Sequence, residues 1–310
     1  QCARWRVGVT GDSVTVSSLG TAVAAFAEEV GDAEPVTVTG LGSRGGPVPD
    51  VRAVTAPSGI DWIQPAEMTI CCGAGTPVAE VDAALAEHGQ CVALQGGGTI
   101  GGSLAVGHSG LRRLGWGPAR DTVLQARYVS AAGDVVKAGG PTVKNVSGFD
   151  LCRLLVGSRG TLGFLAEVIL RTRPRPVDER WFTSERDPWE LLAALYRPTS
   201  LLWDGVTTWV LLDGHADDIA AQVRSGGLDA AAGPPDLPPH RWSMPPSEVR
   251  SLADASSPFV AEIGVGVVHH SQPAPERVVD TTVRSLHDRI KHEFDPTARL
   301  NPGVDVLADT

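Results

Sequence analysis

The 310-residue sequence has few cysteines, more acidic than basic residues and no long apolar run. Its five cysteines (Cys2, Cys71, Cys72, Cys91 and Cys152) are odd in number and contain no CxxC pair. This usage disfavours a disulfide framework, a zinc site and an iron–sulfur cluster. We therefore expect reduced, buried thiols and no metal site.

The charge and the hydropathy exclude further classes of protein. Lysine and arginine number 26 against 36 aspartates and glutamates, and the formal charge of −10 repels nucleic acid and anionic lipid. No apolar run reaches the roughly 18 residues of a membrane span, and the first residues lack the apolar segment of a signal peptide. The sequence therefore predicts a cytoplasmic globular protein, in which a small anionic ligand would need a local cradle.

The most distinctive stretch runs from Gln95 to Ala105 and is closed by residues 107–110 (GHSG). Five of the seven residues from 96 to 102 are glycine, so the backbone can expose N–H groups to a closely approaching ligand. A flexible surface loop is the alternative, but the apolar Ile100 and Leu104 stand where a linker would carry serine, proline and charge. The stretch therefore predicts an anion-binding turn before a short helix.

A second glycine cluster, Gly40 to Gly46, spells GxGxxG after a predicted strand at Val36–Thr39. A Rossmann motif needs a helix directly after the glycines, whereas Pro47 and Pro49 block a helix here and residues 51–55 predict another strand. We interpret the cluster as a tight turn that presents N–H groups to phosphate, with a Rossmann site as the less favoured alternative.

A third glycine cluster, Gly157 to Gly163, lies between a predicted helix at 151–156 and a predicted strand at 164–170. Three separated clusters, each beside a strand end or a helix start, suit an extended diphosphate-bearing ligand that is held at several points. A hairpin predicted over residues 122–138 favours antiparallel pairing over a purely doubly wound sheet.

The remaining patterns outline further helices and strands. Apolar spacing over residues 19–30 predicts a helix that ends at Gly31, and Thr76-Pro77 is expected to open a helix as N-cap and first residue. Beyond residue 176 the sequence predicts strands at 206–212 and 259–269 and a helix at 276–292.

Five segments occur in an order that resembles one family of flavoproteins. They read GLGSRGG, GGGTIGGSLAVGHSGLRR, ARDTVLQARYVSAAGDVVKAGG, VKNVSGFDLCRLLVGSRGTLGFLAEVILRTRP and FDPTARLNPGV. In this order they resemble the vanillyl-alcohol-oxidase-type (PCMH-type) FAD-binding flavoproteins, and within them the FAD-binding subunits of bacterial glycolate oxidases. The match is strong over residues 96–174 and 294–303 and thin over residues 181–291.

The resemblance implies an α+β fold with FAD as cofactor. It implies a PCMH-type FAD-binding domain over residues 1–176, built of two α+β subdomains (residues 1 to about 55 and about 58 to 175) with FAD in the seam between them. A smaller α+β substrate or cap domain would occupy residues 177–290, and a C-terminal tail, residues 291–310, would return to the FAD domain.

The resemblance also implies which residues contact FAD. By position they are Gly40, Gly42, Ser43, Arg44, Gly45 and Gly46 in the first turn; Gly97, Gly98, Thr99, Ile100, Gly101, Gly102 and Ser103, with Ser109, Gly110 and Arg113, in the second; Gly157, Ser158, Gly160, Thr161, Gly163, Phe164 and Leu165 in the third; and Asn301 and Pro302 in the tail. Many relatives attach FAD covalently through a His or Cys of the first turn. Here that turn offers only Ser43 and Arg44, so we expect noncovalent FAD, with His108 as the nearby residue that could attach it instead.

Glu262, His269 and His270 are the candidate catalytic residues. Oxidation of a 2-hydroxy acid requires a base such as His for the hydroxyl proton and a cation for the carboxylate. If the strand at 259–269 alternated to its end, Glu262 and His270 would share one face and His269 would point to the other. We expect one histidine to face the flavin; surface or interdomain positions for both are the alternative.

Two further clusters of residues are interpreted as neither a metal site nor a nucleic-acid-binding patch. His287, His292 and Glu293 lack the i, i+4 spacing of a histidine ligand pair, so we interpret them as a solvated helix face. Arg112-Arg113 and the arginines at 171, 173 and 175 are interpreted as cofactor or interface contacts.

Together these features predict an FAD-dependent oxidoreductase that oxidises a small 2-hydroxy acid such as glycolate, alone or as one subunit of a complex. A non-catalytic flavin-binding or electron-relay subunit is the alternative, because the second domain lacks a recognisable carboxylate-binding set. A protein that has lost its cofactor is a third interpretation. The resemblance implies a catalytic flavoprotein and an iron–sulfur protein as partner subunits, through which the chain would associate with a membrane.

Overall fold

The computed structural model describes residues 18–94, 96–140, 150–276 and 278–308. Predictions that rest on Cys2, on Gln95, or on residues 14–17 and 141–149 lie outside this part of the chain. The described strands form three sheets, of two, six and seven strands. One apolar core accompanies the first two sheets, and a second core belongs to the third.

The first sheet is small and parallel. Helix α1 (Ser18–Val30) is followed by β1 (Val36–Thr39), which pairs in parallel with β2 (Arg52–Thr55). The apolar residues of the predicted helix are its buried side, and the helix stops where Gly31 adopts φ +62°. The element after the glycines at 40–46 is a strand, which confirms that this motif is a strand-to-strand turn.

The second sheet is antiparallel and is centred on one long strand. Its strands are β3 (Ile60–Gln64), β4 (Thr69–Gly73), β5 (Gln90–Val92), β6 (Val123–Val129), β7 (Val135–Gly139) and β8 (Phe164–Pro174). The order is β3-β4-β8-β6-β7, and β5 pairs with the far end of β8. The first seven residues of β8 are buried, so both faces of the sheet are covered along this part of the strand. The predicted hairpin is confirmed as β6 and β7.

Four helices accompany this sheet: α2 (Val78–Ala86), α3 (Ile100–Val106), α4 (Arg113–Trp116) and α5 (Leu151–Leu155). Short 3-10 turns lie at Pro65–Glu67, Ala119–Thr122 and Val249–Asp254.

The prediction that Thr76 caps α2 is wrong, because Pro77 holds the N-cap position and has no side-chain donor or acceptor there. Thr76 Oγ1 donates instead to the carbonyl oxygen of Gly73 (2.7 Å) and accepts from the N–H of Gly59 (2.9 Å).

The third sheet contains seven antiparallel strands. They are β9 (Asp178–Ser184), β10 (Ser200–Trp203), β11 (Thr208–Gly214), β12 (Asp229–Ala231), β13 (His240–Ser243), β14 (Phe259–Glu262) and β15 (Val267–His270), in the order β12-β9-β11-β10-β14-β15-β13. Helices α6 (Pro188–Ala194) and α7 (Ala216–Gly226) bury Leu191 and Ile219 against Phe182, Val210 and Ala261. These side chains define the core face of the sheet.

Two elements of the third region differ from the sequence prediction. The strand expected over 259–269 is a hairpin, β14 and β15, because Gly264 (φ +79°) and Gly266 (φ +82°) turn the chain. The helix expected over 276–292 is α8 (Thr281–Phe294), which begins later because the side chain of Asp280 caps it through the N–H of Thr282 (2.7 Å).

The chain passes from the second sheet to the third between Pro174, the end of β8, and Asp178, the start of β9. The boundary expected after residue 176 falls in this connection; as a domain boundary it stays a prediction. None of the helices described is long and apolar enough to cross a membrane. The four described cysteines are buried and free, and burial raises the pKa of Cys71 to about 12 and that of Cys152 to about 11.

The C-terminal tail packs beside β1 through a buried arginine. Arg299 is 2% exposed, and its guanidinium donates to the carbonyl oxygens of Val30 (2.7 Å), Glu34 (3.0 Å) and Ala131 (3.1 Å). Backbone bonds from Val36 N to Arg299 O and from Asn301 N to Val36 O, both 2.9 Å, continue the contact. Arg299 therefore ties the tail to α1, to the start of β1 and to the β6–β7 turn.

Replacing Arg299 with leucine removes the guanidinium donors from three carbonyl oxygens. A buried acceptor that loses its partner costs about 1–3 kcal/mol, so we expect a clear fall in the thermal unfolding midpoint. Arg289→Leu, on the exposed side of α8, is the control and should leave the midpoint within error of the parent chain. Equal midpoints for the two variants would contradict the anchoring role of Arg299.

Candidate functional site

A cleft runs between the first and second sheets, and segments that are distant in the sequence line it. They are residues 37–46 with Val48 and Ala56; Ala74 and Gly75; Thr99, Gly101, Gly102, Ala105 and Val106 from the cap and body of α3; Leu155, Ser158, Arg159, Gly160, Gly163, Phe164 and Leu165; and Asn301 and Val304 from the tail. All three glycine clusters and the C-terminal tail therefore meet at one cavity.

Most of the predicted cofactor residues line this cleft. They are Gly40, Gly42, Ser43, Arg44, Gly45, Gly46, Thr99, Gly101, Gly102, Ser158, Gly160, Gly163, Phe164, Leu165 and Asn301. The other ten are not among the lining residues: Gly97, Gly98, Ile100, Ser103, Ser109, Gly110, Arg113, Gly157, Thr161 and Pro302. Ile100, Ser103 and Thr161 are buried, and Ser103 and Thr161 use their hydroxyls within their own turns. Their roles toward a cofactor stay predictions.

The first and second glycine turns contact each other directly. Ser43 Oγ donates to the carbonyl oxygen of Gly97 (2.7 Å), and the Arg44 guanidinium donates to the same oxygen (2.8 Å) and to that of Gly96 (3.2 Å). A Cβ at Gly98 would lie 2.2 Å from Arg44 Nη1 and 2.6 Å from Ser43 Oγ, and Gly98 has φ +142°. This approach therefore requires glycine at position 98.

The third turn and the tail meet in a similar way. Asn301 Nδ2 donates to the carbonyl oxygen of Arg159 (2.6 Å), while Asn301 Oδ1 is buried without a hydrogen-bond partner. A Cβ at Gly160, where φ is +72°, would lie 2.7 Å from Asn301 Nδ2. The tail therefore closes on the third turn and leaves a polar oxygen at the cleft that a bound group can satisfy.

Several lining residues were missed by sequence reasoning. Among them are Ala74 and Gly75, which follow β4 in the small-residue run Gly73-Ala74-Gly75. A Cβ at Gly75 would lie 2.2 Å from the carbonyl oxygen of Ala56. A short run of small residues directly after a buried strand was the signal that could have identified this turn.

The catalytic candidates lie on the third sheet, on opposite faces. His269 Nε2 lies 3.1 Å from Glu262 Oε1, and both side chains are largely buried. His270 stacks on Trp242 at a centroid distance of 3.8 Å, and its Nδ1 accepts from the N–H of Gln272 (2.9 Å). The expectation that Glu262 shares a face with His270 is wrong, because the hairpin turn shifts the alternation and pairs Glu262 with His269 instead.

The face that carries Glu262 and His269 is opposite the core face that α6 and α7 cover. Helix α4 contacts the third sheet at one end of its strands. Gly115 N donates to the carbonyl oxygen of Thr199 (3.1 Å), just before β10, and Trp116 Nε1 donates to Asp213 Oδ2 (2.9 Å), near the end of β11. Arg112 forms an ion pair with Glu179, and Arg173 lies over the Trp116 ring at 4.3 Å. Of the basic residues interpreted as interface contacts, Arg112 and Arg173 therefore lie between the second and third sheets.

Comparison with known proteins identifies the cofactor-binding domain of this chain. Residues 35–139 match the family model described as FAD binding domain. The chain therefore contains a PCMH-type FAD-binding domain, with FAD as its cofactor. This agrees with the family that its glycine motifs resemble and with the predicted α+β fold.

Its relatives include subunits of glycolate oxidase. Glycolate oxidase subunit GlcE of Escherichia coli (strain K12) is 33% identical over 224 residues, which is 66% of this chain and 63% of that protein. GlcD of Bacillus subtilis (strain 168) is 46% identical over 25% of this chain and 17% of that protein, and a D-lactate dehydrogenase of Archaeoglobus fulgidus is 38% identical over 34% and 25%. The matches thus cover less than two thirds of each relative.

Solved structures support the fold. An alkyldihydroxyacetonephosphate synthase superposes with a TM-score of 0.64 at 14% identity, over 90% of this chain and 73% of that one. A Bermuda grass isoallergen, BG60, superposes with a TM-score of 0.51 at 16% identity, over 67% of this chain and 49% of that one. Both show the shared architecture alone.

The residues of the cleft fit FAD in three respects. At Gly42, Gly45 and Gly46 no atom lies within 4 Å of the Cβ position, so a diphosphate can approach the backbone N–H groups. Arg44 supplies a cation, and its partial burial lowers its pKa without removing its charge. Asn301 Oδ1 supplies an acceptor that has no partner among the described residues.

Gly98→Ala is expected to separate the first two turns. The added Cβ would clash with Ser43 and Arg44 and would strain the backbone, so we expect FAD to bind about tenfold more weakly or worse. Flavin fluorescence during titration of FAD into flavin-free protein gives the Kd. Gly96→Ala is the matched control, because nothing lies within 4 Å of its Cβ position. The same Kd for both variants would show that this contact does not shape the site.

Proposed function

We propose that this chain uses FAD, held noncovalently in the cleft, to oxidise a small 2-hydroxy acid such as glycolate. The observation that carries the proposal is the hydrogen-bonded pair of His269 and Glu262 on the third sheet, which α4 contacts at its strand ends. Helix α4 begins seven residues after α3 ends, and the end of α3 lines the cleft. A base and a cofactor site are thus joined by one short segment.

The cofactor would be held by the glycine turns. Residues 42–46 would contact the diphosphate through their N–H groups and Arg44, and residues 158–165 would border the adenosine end. Residues 99–102 would line the cleft beside the diphosphate, because the N–H groups of Ile100, Gly101 and Gly102 already donate to Thr76, Ala74 and Thr99. Asn301 would contact the cofactor through Oδ1. FAD, when bound, supplies the chemistry of accepting two electrons from the substrate carbon.

His269 would take the proton of the substrate hydroxyl. The hydrogen bond to Glu262 occupies Nε2 and fixes the ring, which leaves Nδ1 to accept the proton. A carboxylate beside the ring also stabilises the positive charge that the imidazole gains. His270 is locked by Trp242 and Gln272 on the core face, so we assign it no role in the reaction.

A second function is favoured by the names of the relatives. Those of Escherichia coli and Bacillus subtilis are subunits, and this chain matches only part of each. We therefore propose, as the alternative, that the chain is a non-catalytic flavin-binding or electron-relay subunit beside a catalytic flavoprotein and an iron–sulfur protein. In either case we propose a cytoplasmic location, with any membrane association made through the partners.

Acid precipitation tests the noncovalent attachment of FAD. The first turn contains neither His nor Cys, and His108 is not among the residues that line the cleft. We therefore expect trichloroacetic acid to release all of the yellow colour into the supernatant. Colour that stays in the protein pellet would contradict noncovalent binding.

Anaerobic mixing with glycolate or D-lactate distinguishes the two functions. The enzyme predicts bleaching of the oxidised-flavin absorption band, and the relay subunit predicts no change. In the enzyme, His269→Gln should lower the bleaching rate about 100-fold or more, because it removes the base. His270→Gln is the matched control and should bleach at the parent rate. Full activity of the His269 variant would contradict the assignment of the base.

A further inference from the structure

Arg241 lies beside the His269–Glu262 pair in the third sheet. The register of β13 and β15 places Arg241 directly opposite His269. Residues opposite each other in an antiparallel pair project from the same face, with Cβ atoms about 4.5–5.5 Å apart. Arg241 therefore belongs to the face that carries His269 and Glu262, and not to the core face.

A second arginine, Arg113, is the first residue of α4. Leu114 packs against Gly264 in the β14–β15 turn, while Arg112 and Trp116 contact Glu179 and Asp213 on the other side of the helix. Arg113 thus begins a helix that is fixed at the end of the sheet where β14 turns into β15. Burial is the main cause that lowers the pKa of Arg241; Glu262 raises it, and the charge of Arg113 lowers it further.

Arg113 and Arg241 are absent from the ion pairs of the described residues. Within the described part of the chain, no ion pair within 4.0 Å involves Arg113 or Arg241. The carboxylate of Glu262 is already hydrogen-bonded to His269. The guanidinium donors of the partly buried Arg241 can take a further anion. The arrangement therefore suits a ligand that brings a negative charge.

We propose that Arg241 binds the carboxylate of the 2-hydroxy acid and so presents the hydroxyl to His269. The inference rests on the proposed function and extends it to the substrate-binding group. A guanidinium matches a carboxylate through two parallel N–H donors. In a 2-hydroxy acid the carboxylate and the hydroxyl stand on adjacent carbons, a separation that two side chains opposite each other across neighbouring strands can span.

The same face also limits the size of the substrate. Val260 is the register partner of His269, and Val267 lies two residues before His269, so both side chains share its face. Both are buried, at 4% and 2% exposure. Apolar side chains at these positions favour a short, uncharged substituent on the substrate, such as the hydrogen of glycolate or the methyl group of lactate.

Arg241→Gln tests the assignment by the preference for charge. We expect KM for glycolate to rise about 10- to 100-fold and KM for the neutral analogue glycolamide to stay unchanged. The preference for glycolate over glycolamide should therefore decrease. Arg241→Lys keeps the charge but loses the paired donors, and its KM should be intermediate. Arg250→Gln is the matched control, because Arg250 lies over Trp189 and pairs with Asp187 beside α6. Equal KM values for the Gln variants at 241 and 250 would overturn the proposal.

A binding measurement separates this inference from the proposed function. Oxalate, a small dicarboxylate, is titrated calorimetrically into the FAD-loaded chain and its variants, without turnover. We expect Arg241→Gln to weaken oxalate binding at least about tenfold and Arg250→Gln to leave it unchanged. If the parent chain does not oxidise glycolate, the proposed function fails while this titration still decides the role of Arg241. Unchanged oxalate binding, or loss of FAD from the Arg241 variant, would overturn the carboxylate assignment.

Discussion

The close contact between the first two glycine turns is the interaction on which the candidate site depends. Ser43 and Arg44 reach the carbonyl oxygens of Gly96 and Gly97, which is possible only because no side chain stands at position 98. An acidic chain repels a diphosphate, so binding requires backbone N–H groups and a local cation at one place. The glycines permit that concentration of donors, and the rest of the fold holds the turns in position.

The tail and α4 extend this arrangement beyond the two turns. Arg299 fastens the tail through three carbonyl oxygens, and two residues later Asn301 closes on the third glycine turn. Helix α4 then joins the cleft to the third sheet, where Arg112 pairs with Glu179. The cofactor cleft and the His269–Glu262 pair are thus linked through a few polar contacts that lie far apart in the sequence.

Local signals in the sequence predicted the elements that depend on local chemistry. Gly31 marked the end of α1, and the prolines after Gly46 excluded a Rossmann helix. Pairing between distant residues could not be predicted in this way. Arg241 gained significance only from its register with His269, and a buried Arg299 gives no sign in the sequence that its partners are backbone carbonyls. The glycines Gly264 and Gly266 did indicate a turn in the sequence. Because a continuous strand was predicted there instead, Glu262 was assigned to the face of His270 and not to that of His269.

The absorption spectrum of the freshly purified chain tests the central claim most directly, namely that the separated glycine turns form one FAD site. The account predicts a yellow protein with the bands of oxidised flavin and one FAD per chain, and it predicts that added FAD raises the thermal midpoint of any flavin-free fraction. A colourless, folded preparation that FAD does not stabilise against heat would contradict it.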